Sequence, residues 1–371
     1  ETYYNEFDEP DMMPPGFAAI GYAYDAARNV IHVRYLDRKH QPVMLKDGYA
    51  QMEFAYDARN RRILERFLDE NGQPVNQASG YAWIETAWSD DGLTKWVKVF
   101  NRLGEPCRQT DGAWIIRTTT AGDNRILEEA YLDQNGEPMR GGEDFSVVRF
   151  GYDDRRRQIR VSYYDTEGNP IRISLGYAQM HMAYDDAGRI LRRSFTGVDG
   201  QPTRIKAGYA AIEYSYDAFG HTTQTRYYDA QGSLMITGQG YAILDQTYDE
   251  QGNLIREAYL NPWYGLMNGQ GGYACIRYEY DEHGNQTRAA YYDQNEQPKQ
   301  MHGKYVAITR EFDDQGNMVY QAYLNEQNEP VVMEGMTAFV RYTYDERGNR
   351  TEMWFYGLDG QKVKSPAGYH G

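Results

Sequence analysis

Two carboxylates recur at a fixed separation along this 371-residue chain, as in Asp217 with Asp229. Paired carboxylates perform general acid–base chemistry when their surroundings differ, one being held protonated and the other ionised. Here most copies sit in the same local sequence, Asp-x-x-Gly, so no acid is singled out from its neighbours. The residue types fit a turn instead, because the aspartate oxygen can accept amides two residues on and the glycine takes a positive φ. Such turns could bind calcium, but one carboxylate per turn supplies too few oxygens. His32, His40, His181, His221, His283, His302 and His370 fall at different points of the pattern with no ligand spacing, and read as surface residues. The sequence contains no nucleophile elbow, HExxH or P-loop. The expectation is a protein that is not an enzyme and uses no cofactor or metal.

What positions these turns is a repeat. Gly16, Gly48, Gly80, Gly112, Gly176, Gly208, Gly240, Gly272 and Gly368 lie on one 32-residue grid, with Asp144, Lys304 and Met336 at the remaining grid points. A fixed period of this size is the signature of a repeat array rather than of two or three globular domains. Residues 1–15 read as a partial repeat, residues 16–367 as eleven complete repeats, and residues 368–371 as the start of a further one. Both termini thus cut through a repeat and no polar cap is visible, which suggests an excerpt of a longer protein or ends that pair with other copies.

Counting the grid glycine as position 1, position 5 is apolar throughout (Ile20, Met52, Ile212, Ile276), position 9 is aromatic in all but Thr120, and position 6 is mostly charged. This alternation is the period of a half-buried strand, assigned to positions 2–10. After the first Asp-x-x-Gly turn comes a second strand with an aromatic residue or Val at position 20, such as Phe67, Val99 and Tyr227. A second turn follows, ending in Gly-x-Pro at "DENGQP" and "DTEGNP", where proline is expected to end regular pairing. A four-residue loop would set the position-3 Ala opposite the position-20 aromatic, small against large. Asn60 and Asn124 replace the turn glycine with a residue suited to the left-handed region, whereas Arg28 and Arg156 suit it less well. The expected fold is all-β: tandem 32-residue antiparallel β-hairpin repeats forming an elongated solenoid or superhelix, each hairpin covered by its neighbours.

The Tyr-Asp-x-x-Gly-Asn stretches "YDEQGN" (from Tyr248), "YDEHGN" (from Tyr280) and "YDERGN" (from Tyr344) resemble the YD repeats of the bacterial RHS proteins and their teneurin relatives. The resemblance covers almost the whole chain. It implies a spiral of hairpins on a large secreted or surface-attached bacterial protein, with roles in contact, adhesion or enclosing a toxin. The unit here is more regular than that family's, and the sequence shows no RHS core segment or autocleavage region. A looser likeness is to the aromatic-glycine repeats of choline- and glucan-binding modules.

Composition narrows the partners. The net charge of −15 argues against nucleic acid, which calls for a clustered basic surface. No apolar run approaches the roughly 18 residues a membrane span needs. Cys107 and Cys275 occupy different positions of distant repeats, and no disulfide is expected between them. Thirty-five tyrosines leave aromatic rings as the main contact chemistry. Those at position 20 read as a core ladder. Those at position 2, including Tyr209, Tyr241 and Tyr273, lie on the polar-facing side of the strand, where they stack on a neighbouring repeat or present flat rings to a sugar.

Departures from the consensus are more informative. Trp83, Trp88, Trp96 and Trp114 gather in two adjacent repeats where both Tyr-Asp turns are lost. In "LNPWYGLMNGQGG", Trp263 and Tyr264 enter a turn that elsewhere carries small polar residues. Aromatic rings exposed on loops are common anchors for sugars and proteins, and the bland alternative is drift in a redundant array. The function expected is a repeat-array binding or adhesion module of a bacterial surface or secreted protein, contacting glycan or cell-wall polymer. The alternative is a spacer or self-assembling stalk whose partners are other copies end to end.

Overall fold

Three turns per repeat, each built in the same way, account for the glycine spacing. In a computed structural model of the chain, which describes residues 2–3, 13–142, 144–333 and 337–364, the Gly208 repeat shows all three. The Ile205 N–H donates to Tyr209 O, the Asp217 N–H to His221 O and the Asp229 N–H to Ser233 O, at 2.9, 3.0 and 2.9 Å. The third turn glycine has φ +96° at Gly208, +99° at Gly220 and +82° at Gly232. The grid glycine is thus one of three left-handed positions that L side chains adopt only at a cost of roughly 1–2 kcal/mol. Asn60, Asn124, Arg28 and Arg156 all take that conformation, with φ between 60° and 68°. At Lys304 the positive φ moves to His302 and Gly303.

The described residues form twenty-four strands and no helix, and no helix is long and apolar enough to cross a membrane. The fold is all-β, made of tandem antiparallel hairpins. The chain divides into two compact bodies, Glu1–Met180 with Gly197–Gly200 and His181–Thr196 with Gln201–Gly371. Within each body the long strands pair antiparallel in chain order, the short Pro106–Cys107 pairing only with Thr94–Phe100, which also pairs with Ile115–Thr120. In the second body Ala211–Tyr216 pairs with Thr222–Tyr228, which pairs with Ile243–Tyr248 of the following repeat. The cover that one hairpin lacks is therefore supplied edge to edge, through three residue pairs, Gln224↔Asp245, Thr225↔Leu244 and Arg226↔Ile243.

The register differs from the expected one. The first strand spans positions 4–9 only, because positions 2 and 3 belong to the connection closed by the preceding turn. Ile212, not the position-3 Ala, lies opposite Tyr227. The loop holds five residues, Asp217 to His221, and a bulge between Ser215 and Tyr216 supplies one more, so odd still faces even but two residues further along. The small Ala joins repeats instead: the Tyr227 N–H donates to Ala242 O and the Ala242 N–H to Leu260 O. With a backbone pairing on both sides, it is fully buried. Regular pairing ends before the proline, as expected: the strand stops at Leu68, and beyond it only an isolated bridge from Pro74 to Leu68 and the Val75 N–H bond to Phe67 O remain.

Both faces of the sheet carry apolar residues near this junction. One face holds Ile243, Ala258, Leu260 and Cys275 with Leu234 and Leu266 against them, so position 4 is apolar where alternation predicts a polar residue. The other face carries a ladder of rings in which positions 2 and 20 interleave. In the second body it runs Tyr227, Tyr241, Tyr259, Tyr273, Tyr291, with centroids 6.1, 4.7, 5.5 and 5.2 Å apart. In the first body it runs Phe17, Tyr35, Tyr49, Phe67, Tyr81 at 5.3, 5.9, 5.0 and 6.0 Å. Such contacts contribute roughly 0.5–1.5 kcal/mol each beyond burial. Of residues 1–15, read as a partial repeat, residue 1 and residues 4–12 lie outside the described residues, as do residues 368–371, His370 among them, and Met336.

Candidate binding surface

The Tyr-Asp turns are saturated with hydrogen bonds. Asp249 Oδ1 accepts the N–H groups of Gln251 and Asn253 at 3.0 and 2.8 Å, and Oδ2 accepts the Asn253 amide at 3.0 Å. That amide, then the backbone donors, holds the Asp249 carboxyl below its usual range, and the same arrangement lowers Asp281, Asp313 and Asp345. A carboxylate stabilised as the anion is the reverse of a general acid. At Asp217 the asparagine is replaced by His221, whose Nδ1 lies 2.8 Å from Oδ2 and whose ring stacks on Tyr248. Among the described residues no group of three or more His, Cys, Asp or Glu is placed to hold a metal ion. Cys107 and Cys275 are both free.

The tyrosine of the motif works across repeats. Tyr216 donates its hydroxyl to Ile190 O, Tyr280 to Leu254 O and Tyr344 to Met318 O, at 2.8, 2.9 and 2.9 Å. Where position 14 is arginine, its guanidinium lies over the ring of the next repeat, as Arg189 does over Tyr216 and Arg61 over Trp88. The motif is therefore a clamp. Aspartate closes its own turn, tyrosine ties it to the previous repeat, and position 14 leans on the next.

The position-2 tyrosines lie within the ladder, not on a polar face, because the turn before the strand breaks the alternation there. Tyr241 is 7% exposed and stacks on Tyr259 at 9°. Tyr209 packs between Phe195 and Tyr227, and Tyr273 between Tyr259 and Tyr291. Burial raises the Tyr209 and Tyr241 phenols above their usual pKa.

The four clustered tryptophans are half-buried and do not share one face. Trp83 stacks on Phe100 at 5.5 Å. Trp88 donates to Arg62 O at 3.3 Å. Trp96 and Trp114 pack on the cluster of Ile115, Ala130, Leu132 and Val147. The repeat of Trp83, Trp88 and Trp96 lacks the hairpin bulge, whereas that of Trp114 keeps it between Thr119 and Thr120, and the ladder between the two hairpins lengthens to five pairs, from Thr94↔Thr119 to Lys98↔Ile115.

Trp263 and Tyr264 differ from all of these. Trp263 is 82% exposed and Tyr264 54%. Their turn is firmly built: Asn261 takes the aspartate's place, its Oδ1 accepting the N–H groups of Trp263 and Gly265 at 2.8 and 3.1 Å. Tyr264 occupies the left-handed position with φ +65°, a strained backbone for an aromatic residue. Phe219, also 82% exposed, was not singled out by sequence. Its signal was a ring at a turn position, in "DAFGH", that other repeats fill mostly with polar residues.

No protein-family model matches the chain, and no curated protein matches it. Solved structures do match. TcdB2-TccC3 without its hypervariable C-terminal region aligns over 93% of this chain and 22% of its own, at 12% identity and a TM-score of 0.29. The Photorhabdus luminescens Tc holotoxin pore aligns over 92% and 20%, at 12% identity and 0.28. Alternansucrase in complex with isomaltononaose aligns over 84% and 18%, at 12% identity and 0.17. The chain spans about a fifth of the length of each.

Proposed function

We propose that the chain is a non-catalytic binding array of an extracellular or cell-surface bacterial protein, whose buried rings hold the repeats together and whose turn-borne rings contact glycan or cell-wall polymer. The observation that carries this reading is Trp263, 82% exposed on a turn fixed by Asn261. A large ring held in water on a rigid support is preorganised for stacking and loses little conformational freedom on binding. Replacing Trp263 and Tyr264 together by Ala should reduce retention on a peptidoglycan or polysaccharide matrix by roughly 1–3 kcal/mol. The fold should persist, because neither ring is buried. Unchanged retention would remove this site from the reading.

A spacer or self-associating stalk is the second reading, and the burial of Tyr241 and its ladder neighbours favours it. It expects no glycan retention by the parent chain and a concentration-dependent change in sedimentation.

A further inference from the structure

The ring ladder of the second body passes through Tyr291, Tyr305 and Tyr323, with centroids 6.1 and 4.7 Å apart. Its next member should stand at position 2 of the following repeat, where the sequence places Thr337 instead. Thr337 is 7% exposed, and its Oγ1 is buried with no hydrogen-bond partner among the described residues. A cavity of about 620 Å³ opens here, with Tyr323, Thr337 and Phe355 on its wall. Phe355 occupies position 20 of the same repeat, so the wall residues are the two ladder places on either side of the missing ring. A ladder serving structure alone gains nothing from Thr337, which gives up ring contacts and buries a hydroxyl that no described residue partners.

The wall chemistry indicates the occupant. Tyr305 and Tyr342 add two further rings, and Lys304 and His302 supply nitrogen donors. The volume lies within the range of small-molecule sites. We propose that this cavity binds a small planar aromatic carboxylate. Its ring takes the vacant ladder place between Tyr323 and Phe355, and its carboxylate meets Lys304.

The test is calorimetric titration of the full chain with 2-naphthoate, and with 2-naphthylmethanol as its neutral counterpart. Thr337→Tyr restores the consensus ring, and should weaken 2-naphthoate at least about tenfold while leaving the melting temperature unchanged or higher. Lys304→Gln alters an exposed side chain. It should weaken 2-naphthoate about threefold or more and leave 2-naphthylmethanol unaffected. The proposal is overturned if 2-naphthoate does not bind, if a folded Thr337→Tyr variant binds it as the parent does, or if Lys304→Gln leaves the preference for the carboxylate intact. A heat of binding from maltotriose with none from 2-naphthoate would overturn it as well.

Discussion

The Tyr280 hydroxyl reaches the Leu254 carbonyl at 2.9 Å, so one side chain at the start of a turn satisfies a backbone group of the previous repeat. Removing a partner from a half-buried carbonyl costs about 1–2 kcal/mol. Tyr280→Phe should lower the unfolding free energy by that amount in urea titration. Tyr24→Phe, at an exposed ring of the same position, should stay within about 0.5 kcal/mol of the parent. Equal effects would show that the ring rather than the hydroxyl does the work. The Tyr-Asp motif was legible in sequence as a turn. Its reach across repeats was not, because Leu254 and Tyr280 contribute a backbone carbonyl and a hydroxyl that no side-chain pattern links.

At the level of the hairpin, the odd-to-even facing of the strands could be inferred from Ile212 and Tyr227, both large and apolar. The five-residue loop and the bulge beside Tyr216 could not, since neither needs a special residue and together they shift the pairing by two without changing which faces meet. Position 4 departs from the alternation read from the sequence, because Ile243 and Cys275 pack where two hairpins join. The ladder of rings gives the element its pH dependence. Burial, the main cause, pushes the Tyr49 phenol up to about 12, and raises Tyr35, Tyr209, Tyr241 and Tyr291. Unfolded tyrosine ionises near 10. A folded value above the unfolded one means stability fully present below about pH 10 and lost as pH rises towards the folded value. Urea midpoints should therefore hold from about pH 8 to 9.5 and fall by about pH 11, with tyrosinate absorbance rising as the chain unfolds. A midpoint independent of pH across that window would contradict a buried ladder.

For the whole chain, the glycine grid is the feature that sequence and structure share most closely, since Gly208, Gly220 and Gly232 all require positive φ. A repeat that contacts only its neighbours makes stability a sum of similar terms. The most direct measurement is a pair of in-frame deletions compared by circular dichroism melts. Removing residues 208–239, one whole repeat, joins Ala207 to Gly240 and restores every pairing and every ladder ring. It should leave a folded chain with a melting temperature only a few degrees lower. Removing residues 208–223 takes half a repeat, places unlike positions against each other and should give aggregation or a lost cooperative transition. The account fails if the half-repeat deletion folds as well as the whole-repeat one.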